Sequence, residues 1–311
     1  MKLEKRWAAF VVMAAPLLFF LPNLWRFGYP VLSQFSDLTI SHYPNAVFLR
    51  SAIETWGQIP LWSNTILSGY PFVANPLSGL WYPPGWLALA LPLPLGFNVL
   101  VLMHLLWGGG GMLLLLEAEG RRRIPAAMGG LLFVAMPKLM AHYAAGHISM
   151  VYAVCWTPWL LWLQKRWCSH NTARTGVFTA AAWGVIILAD VRWGALAGVL
   201  WFFYFVWEQY FRRAQKDERC SITDTVTPLA VFGLQVVGGI CFAAPLLLPL
   251  LEYSSLSTRA LIESAENLVF SLPPVHLLGL IVPQFGGNAE WVVYAGMLSV
   301  FMLIRVMVNR G

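Results

Sequence analysis

The 311-residue chain is short of charge. Only 11% of its residues are Asp, Glu, Lys or Arg, against about 25% in an ordinary soluble domain. Acids are scarce at the start: after Glu4 comes Asp37, and after that none until Glu54. Cysteine is scarce too, with four residues and no CxxC. Cys155 and Cys241 fall in apolar runs, Cys168 and Cys220 in basic segments, so neither a disulfide framework nor a zinc site is expected. A repeat of fixed period is missing. Gly108–Gly111 is not followed by the Lys-Ser/Thr of a P-loop, which favours close helix packing over phosphate cradling for those glycines.

What is plentiful is apolar surface. Hydrophobic residues make up 59% of the chain, in runs that alternate with short basic clusters, as in an integral membrane protein. Runs of spanning length fall at about 7–25, 96–116, 124–141, 150–164, 175–190, 193–211, 228–251 and 291–307. They predict an all-α polytopic membrane protein of about eight transmembrane helices, forming one domain over 1–311. The run at 150–164 is short and must be extended or meet a thin bilayer. The first run is too long for a signal-peptide core and no small-x-small site follows, so it reads as an uncleaved span. Sixteen Trp and ten Tyr suit a protein with broad water–lipid boundaries.

The formal charge of +6 raises the question of nucleic acid, and the placement of the basic residues answers it. With the N-terminus cytoplasmic, fifteen Lys and Arg fall in the inside segments, from Lys2–Arg6 to Arg305 and Arg310. Five, namely Arg26, Arg50, Lys138, Arg192 and Arg259, fall outside or at the outer boundary. That is the positive-inside pattern, so the basic excess reads as topology and no nucleic-acid partner is expected.

This orientation places two long segments outside, residues 26–84 and about 252–290. In the first, Pro44 to Trp56 reads as an amphipathic helix with Leu49, Ile53 and Trp56 on one face. Gly57 and Pro60 end it, and it is expected to lie along the membrane surface. The Pro-, Gly- and aromatic-rich stretch after it predicts an ordered irregular loop. Residues 85–95 read as a short helix stopped by LPLP, and 272–283 as an apolar piece too short to cross.

Candidate chemistry gathers on the outer side. Asp37 is followed closely by His42 and Tyr43, and the helix beginning near Pro44 offers N–H groups to an anion. Together they suit a lipid-borne headgroup; a plain solvated acid is the alternative. Asp190 and Arg192 share a tight turn at the outer boundary. An acid near hydrocarbon costs up to about 3 kcal/mol at a helix centre, so Asp190 is expected either to pair, with Arg192 or Lys138, or to face a cavity. His142 and His147 lie in an external hairpin, HYAAGHIS. Five residues apart, they do not share a helix face, which makes metal ligation from this motif weak. Lys138, His142, His147, Arg192 and Arg259 together suggest a cationic mouth that binds phosphate. His104, inside the second run, reads as a satisfied intramembrane histidine.

The order of features resembles the C-type membrane glycosyltransferases, more narrowly the bacterial YfhO-like group. The likeness is carried by Ser36-Asp37, Pro44, Pro60-Leu61-Trp62, Gly69-Tyr70-Pro71, Asn75-Pro76 and Tyr82-Pro83-Pro84. It continues through Gly146-His147, Trp156, Pro158-Trp159, Asp190, Ser271-Leu272-Pro273-Pro274, Pro283-Gln284-Phe285-Gly286, Tyr294 and Gly296. The resemblance implies a multi-pass enzyme of the bacterial cytoplasmic membrane. It would take a sugar from a polyprenyl-phosphate carrier on the outer face and pass it to an envelope glycan, lipid or protein. It also implies that Asp37 is the catalytic or metal-binding carboxylate, and that basic groups steady the departing lipid phosphate. Asp37 is flanked by Ser36 and Leu38 rather than by a second acid, which leaves a divalent cation open as cofactor. Members of the group are longer, so a C-terminally truncated module, or a second chain supplying further spans, is expected. A flippase or transporter of a lipid-linked sugar, or a non-catalytic module, are the competing readings.

Overall fold

A computed structural model describes residues 36–66, 68–214, 223–257, 271–282 and 291–294, with a few single positions beyond them. The expected span at 7–25, most of that at 291–307, Cys220 and Arg259 lie outside the described residues. Among the described residues the chain is helical, with one isolated antiparallel bridge, Ser63 to Tyr70, and no strand.

A π-helical turn over Leu38–His42 runs directly into α1, Tyr43–Trp56. Two short 3-10 turns, Phe72–Ala74 and Pro83–Gly85, lead to α2, Trp86–Leu89. The longer helices follow: α3, Leu93–Ala118; α4, Arg123–Val134; α5, Pro137–Ala144; α6, Ile148–His170; α7, Ala173–Ala189; α8, Val191–Ala214; and α9, Thr223–Ser255. A last 3-10 stretch covers Pro274–Leu280, where the sequence predicts a piece too short to cross.

Local signals account for most boundaries. Pro94 sits in the first turn of α3, where its missing N–H costs nothing. The end of α3 is a Schellman closure: Gly120 (φ +79°) donates to Glu117 O at 3.0 Å and Arg121 to Leu116 O at 3.0 Å. Thr172 caps α7, its Oγ1 accepting the Thr175 N–H. One expected run is broken. Residues 124–141 are two helices, because Pro137 forces Met136 to an extended ψ of 122° and the helix restarts at the proline. The short run at 150–164 is extended, as required, to 23 residues in α6.

Helix α6 is the centre of the bundle, packed against α3, α7, α8 and α5; α4 packs on α3 and α9 on α7. Two of the four consecutive glycines bring the helices together. A Cβ on Gly108 would lie 2.9 Å from Phe133 and 3.0 Å from Cys155, and one on Gly111 only 2.5 Å from Trp159. The close packing expected of that run is therefore present, at two of its positions. His104 is satisfied within α3, with Nδ1 2.7 Å from Leu100 O and Nε2 against the Tyr82 hydroxyl.

Three helical stretches are long and apolar enough to cross a membrane: Leu93–Ala118, Arg123–Ala144 (α4 and α5 together) and Val226–Ser255. Ala173–Ala189 is apolar but shorter. Outward-facing side chains on four helices are large and apolar, among them Leu132, Val177, Phe203 and Leu234, each more than 60% exposed. Helices apolar on their outer as well as inner faces suit a lipid surround.

In the first loop, α1 spans the expected residues and ends at Gly57 in the left-handed region (φ +64°). On the expected apolar face Leu49 is buried, Ile53 is half-buried and Trp56 is 55% exposed, and Ala46 and Ala52 are buried beside Leu49. Leu49 joins Phe72 and Leu80 in a small core of the loop's own, with Phe48, Ile53 and Trp86 around it. The Pro- and Gly-rich stretch thus supplies the surface that α1 covers. Arg50 ties α1 to the next segment, donating to the carbonyls of Ala88, Leu89 and Leu91 at the end of α2.

Candidate functional site

Three chain segments meet at the start of α6. The first is the π-turn that begins with Asp37. The second is the connection from α5 to α6, where Gly146 takes φ +84°. The third is Asp190, the single residue between α7 and α8.

Gly146 sets how closely the first two approach. The Asp37 N–H donates to Ala145 O at 3.1 Å. A Cβ on residue 146 would stand 2.6 Å from Leu38 N and 2.8 Å from Asp37 N, so only glycine fits here. The same turn reverses the chain so that the His147 N–H donates to His142 O at 3.0 Å. In this way the two histidines, which no single helix face would present together, come into contact. Their Nδ1 atoms are 3.0 Å apart.

The other nitrogen of His147, Nε2, is 3.2 Å from Asp37 Oδ2. With Nε2–H donated to the carboxylate, His147 Nδ1 accepts from His142 Nδ1–H, and this fixes both tautomers through their partners. Asp37 is the open end of the chain, its side chain 45% exposed, while that of His147 is 9% exposed. One carboxylate oxygen is held and the side chain faces the surface. Lys138 lies one helical turn before His142 on α5 and so shares its face.

Asp190 is buried at 4% exposure and fully engaged. Ser149 Oγ donates to Oδ2 at 3.0 Å, Arg192 donates to Oδ2 at 2.9 Å and to Oδ1 at 3.3 Å, and the Trp193 N–H donates to Oδ1 at 3.0 Å. Burial raises its carboxyl, but the Arg192 guanidinium, the Trp193 N–H and the Ser149 hydroxyl outweigh that and hold it below the usual range. Of the two expectations for Asp190, pairing with Arg192 is the one found. The Arg192 side chain is itself 61% exposed, so the pair carries positive charge from a buried anchor to the surface.

His42 is buried at the end of the π-turn and lines a cavity with Ser149, Tyr82, Tyr152 and Ala189. Burial pushes its pKa from 6.5 down to about 4. Asp37 and Asp190 pull it up, and His147 and Arg192 push it further down. His42 is therefore neutral at pH 7. The cavity holds about 50 Å³, far below the 300–1,000 Å³ of a ligand pocket, and suits about one or two waters. Tyr43 is half-buried against the main core rather than at this mouth.

Of the residues singled out by sequence, Asp37, His42, His142, His147, Asp190 and Arg192 converge, with Lys138 beside them. Ser149 was missed, and so was the role of Gly146. Both lie within three residues of His147, and their signal is a glycine and a hydroxyl beside a histidine at a helix start. Among the described residues no group of three metal-ligating side chains is placed to hold a metal. His147 spends Nδ1 on His142 and Nε2 on Asp37, so this trio does not offer converging lone pairs to a divalent cation.

Comparison with protein-family models, with curated proteins and with solved structures gives no match.

Proposed function

We propose that this chain is an integral-membrane glycosyltransferase module of about eight spans, with its N-terminus cytoplasmic, in a bacterial inner membrane. It moves a sugar from a polyprenyl-phosphate carrier to an envelope acceptor on the outer face. One observation carries the reading: a half-exposed carboxylate, held by one oxygen to buried His147, which His142 contacts in turn, beside a surface arginine anchored by a buried acid. Asp37 acts as general base. His147 grips Oδ2 and leaves Oδ1 to take the acceptor hydroxyl proton. The acceptor oxygen bonds to the anomeric carbon as the bond from that carbon to the phosphate oxygen breaks, and the electron pair leaves with the polyprenyl phosphate. Arg192 and Lys138 supply positive charge for that departing anion. His142 is a positioning residue, because its Nδ1–H fixes the tautomer that lets His147 hold Asp37.

The test supplies radiolabelled polyprenyl-phosphate sugars and envelope acceptors to the purified protein, comparing it with Asp37→Asn. Full transfer by the variant removes Asp37 from the mechanism. No transfer by either, with movement of the lipid sugar between leaflets of liposomes, replaces the enzyme with a transporter. Cysteines placed at Ser68 and Ser169 are expected to label from opposite sides of the membrane; labelling from one side overturns the topology.

A further inference from the structure

At the far end of α6 from Asp37 lies a second concave surface. Ile148 and His170 are 22 residues apart on α6, which is about 33 Å along the axis, close to one hydrocarbon thickness. There the last turns of α6 meet the first turns of α7 around a cavity of about 490 Å³. Arg166 and His170 line it from α6, Arg174 from α7, and Thr172 from the cap between them. Trp162 and Phe178 form its apolar part.

The two arginines are held in a particular way. The Arg166 guanidinium lies 5.1 Å from the Trp162 ring centroid, and that of Arg174 lies 5.6 Å from the Phe178 ring. Ring stacking orients a guanidinium while leaving its in-plane N–H groups available for an anion. Among the described residues neither arginine has a carboxylate partner. The sequence explains this locally: no acid occurs between Glu119 and Asp190. By contrast Lys165, next to Arg166 in sequence, is ion-paired to Glu119 and Glu208. The α7 N-terminus adds its dipole, with Thr172 Oγ1 accepting the Thr175 N–H and lying 2.8 Å from the Thr175 hydroxyl. Val177 and Phe178, 66% and 48% exposed, continue the surface into an apolar face.

Charge bias across a membrane needs basic residues on one side and nothing more. It does not require two guanidiniums, an imidazole and a helix N-terminus to face one hollow with an aromatic wall. That combination fits an amphiphile: a phosphodiester for the cations and acyl chains for the apolar face. We infer that the α6–α7 corner is a binding site for the phosphate headgroup of an anionic membrane lipid, independent of the chemistry at the other end.

Native mass spectrometry of the full chain released from detergent, with phosphatidylglycerol or phosphatidylcholine added, reads the site directly. Phosphatidylglycerol is expected to bind in preference. The pair R166Q/R174Q is expected to reduce its adduct about tenfold, with helicity by circular dichroism unchanged. The pair R121Q/R122Q removes equal charge from exposed residues at the same end and is expected to leave binding within about twofold. The pair R166K/R174K keeps the charge but not the stacked in-plane donors, so its phosphatidylglycerol adduct is expected to fall between those of the wild type and the Gln pair. Equal loss in both Gln pairs, or no preference between the lipids, would each overturn the site. Displacement of phosphatidylglycerol by millimolar inorganic phosphate would assign the pocket to a soluble anion instead.

Discussion

Helix α6 carries a network of charged groups near each end, and the two differ in what they leave over. Near its C-terminal end Lys165 lies 2.7 Å from Glu208 and 3.3 Å from Glu119, and the Tyr204 hydroxyl donates to Glu119. Acid and base are matched across α3, α6 and α8, and Glu208 is 3% exposed. Such a network ties three helices together. At the N-terminal end, Asp190 is matched in the same way, but Asp37 is half-exposed with one oxygen committed to His147. Its partner His147 passes the hydrogen-bond chain on to half-buried His142. The lesson is that burial of charge does not mark a site; an unspent atom at the end of a rigid polar chain does.

The sharpest way to break this comparison is to remove one charged group from each end. Asp37→Asn is expected to lower sugar transfer by about 10²–10⁴-fold with little change in stability, because the side chain is half-exposed. His142→Gln should lower transfer as well and shift its pH profile, since the His147 tautomer is then no longer fixed. At the other end Lys165→Met removes the ammonium 2.7 Å from buried Glu208. Breaking a buried pair costs about 3–5 kcal/mol; Lys165 is one-fifth exposed, which puts the expected loss near about 3 kcal/mol. Chemical unfolding in detergent measures it, and transfer per folded molecule should stay at the wild-type level. The double change K165M/E208L is expected to recover most of the stability. Transfer lost at unchanged stability in K165M would show that the two networks are not separate in function.

The two ends were also unequally legible. Asp37, Asp190 and Arg192 stood out because an acid beside an apolar run is rare, while spacing in the tight turn left Asp190 open between Arg192, Lys138 and a cavity, and the structure selects Arg192. The His142–His147 contact was not readable. Helical periodicity places residues five apart on different faces, and the contact exists only because the helix stops at Ala144 and Gly146 turns left-handed. Period placed Leu49, Ile53 and Trp56 on one face of α1; the loop core covers that face as far as Ile53, and Trp56 beyond it is exposed. The Glu119–Lys165–Glu208 network escaped notice because its members lie in three separate basic or boundary segments, where charge already had a topological explanation. Most helix positions were legible from the runs, while the break at Pro137 was hidden inside a continuous apolar stretch.

Acid sharpens the comparison next. His42 binds its proton at about pH 4 in the folded chain and at 6.5 when unfolded. Between those values the unfolded state holds the extra proton, so stability is complete above pH 6.5 and is lost as pH falls toward 4. The whole effect is at most about 3.5 kcal/mol, from about 1.4 kcal/mol per pKa unit. Asp37, Asp190, His147 and Arg192 all act on the same ring, so the useful quantity is the difference between wild type and His42→Leu. That variant should show a flatter stability profile between pH 6.5 and 4. Parallel profiles would mean that His42 becomes charged in place.

The smallest expected change in stability separates backbone strain from contact. Gly146 and Gly120 both have left-handed backbones, φ +84° and φ +79°, so alanine at either costs about 1–2 kcal/mol in strain. They differ in what the added methyl group meets. At Gly120 nothing lies within 4 Å, whereas at Gly146 it strikes the backbone nitrogens of Leu38 and Asp37. The peptide carrying the carboxylate must then retreat from Ala145 O, and Asp37 moves relative to His147. Gly120→Ala should therefore change melting temperature only. Gly146→Ala should lower melting temperature by a similar or somewhat larger amount and also reduce transfer about tenfold, as small misplacements of a catalytic group do. Equal transfer in the two variants would mean that the 3.2 Å contact between Asp37 and His147 plays no part in the reaction.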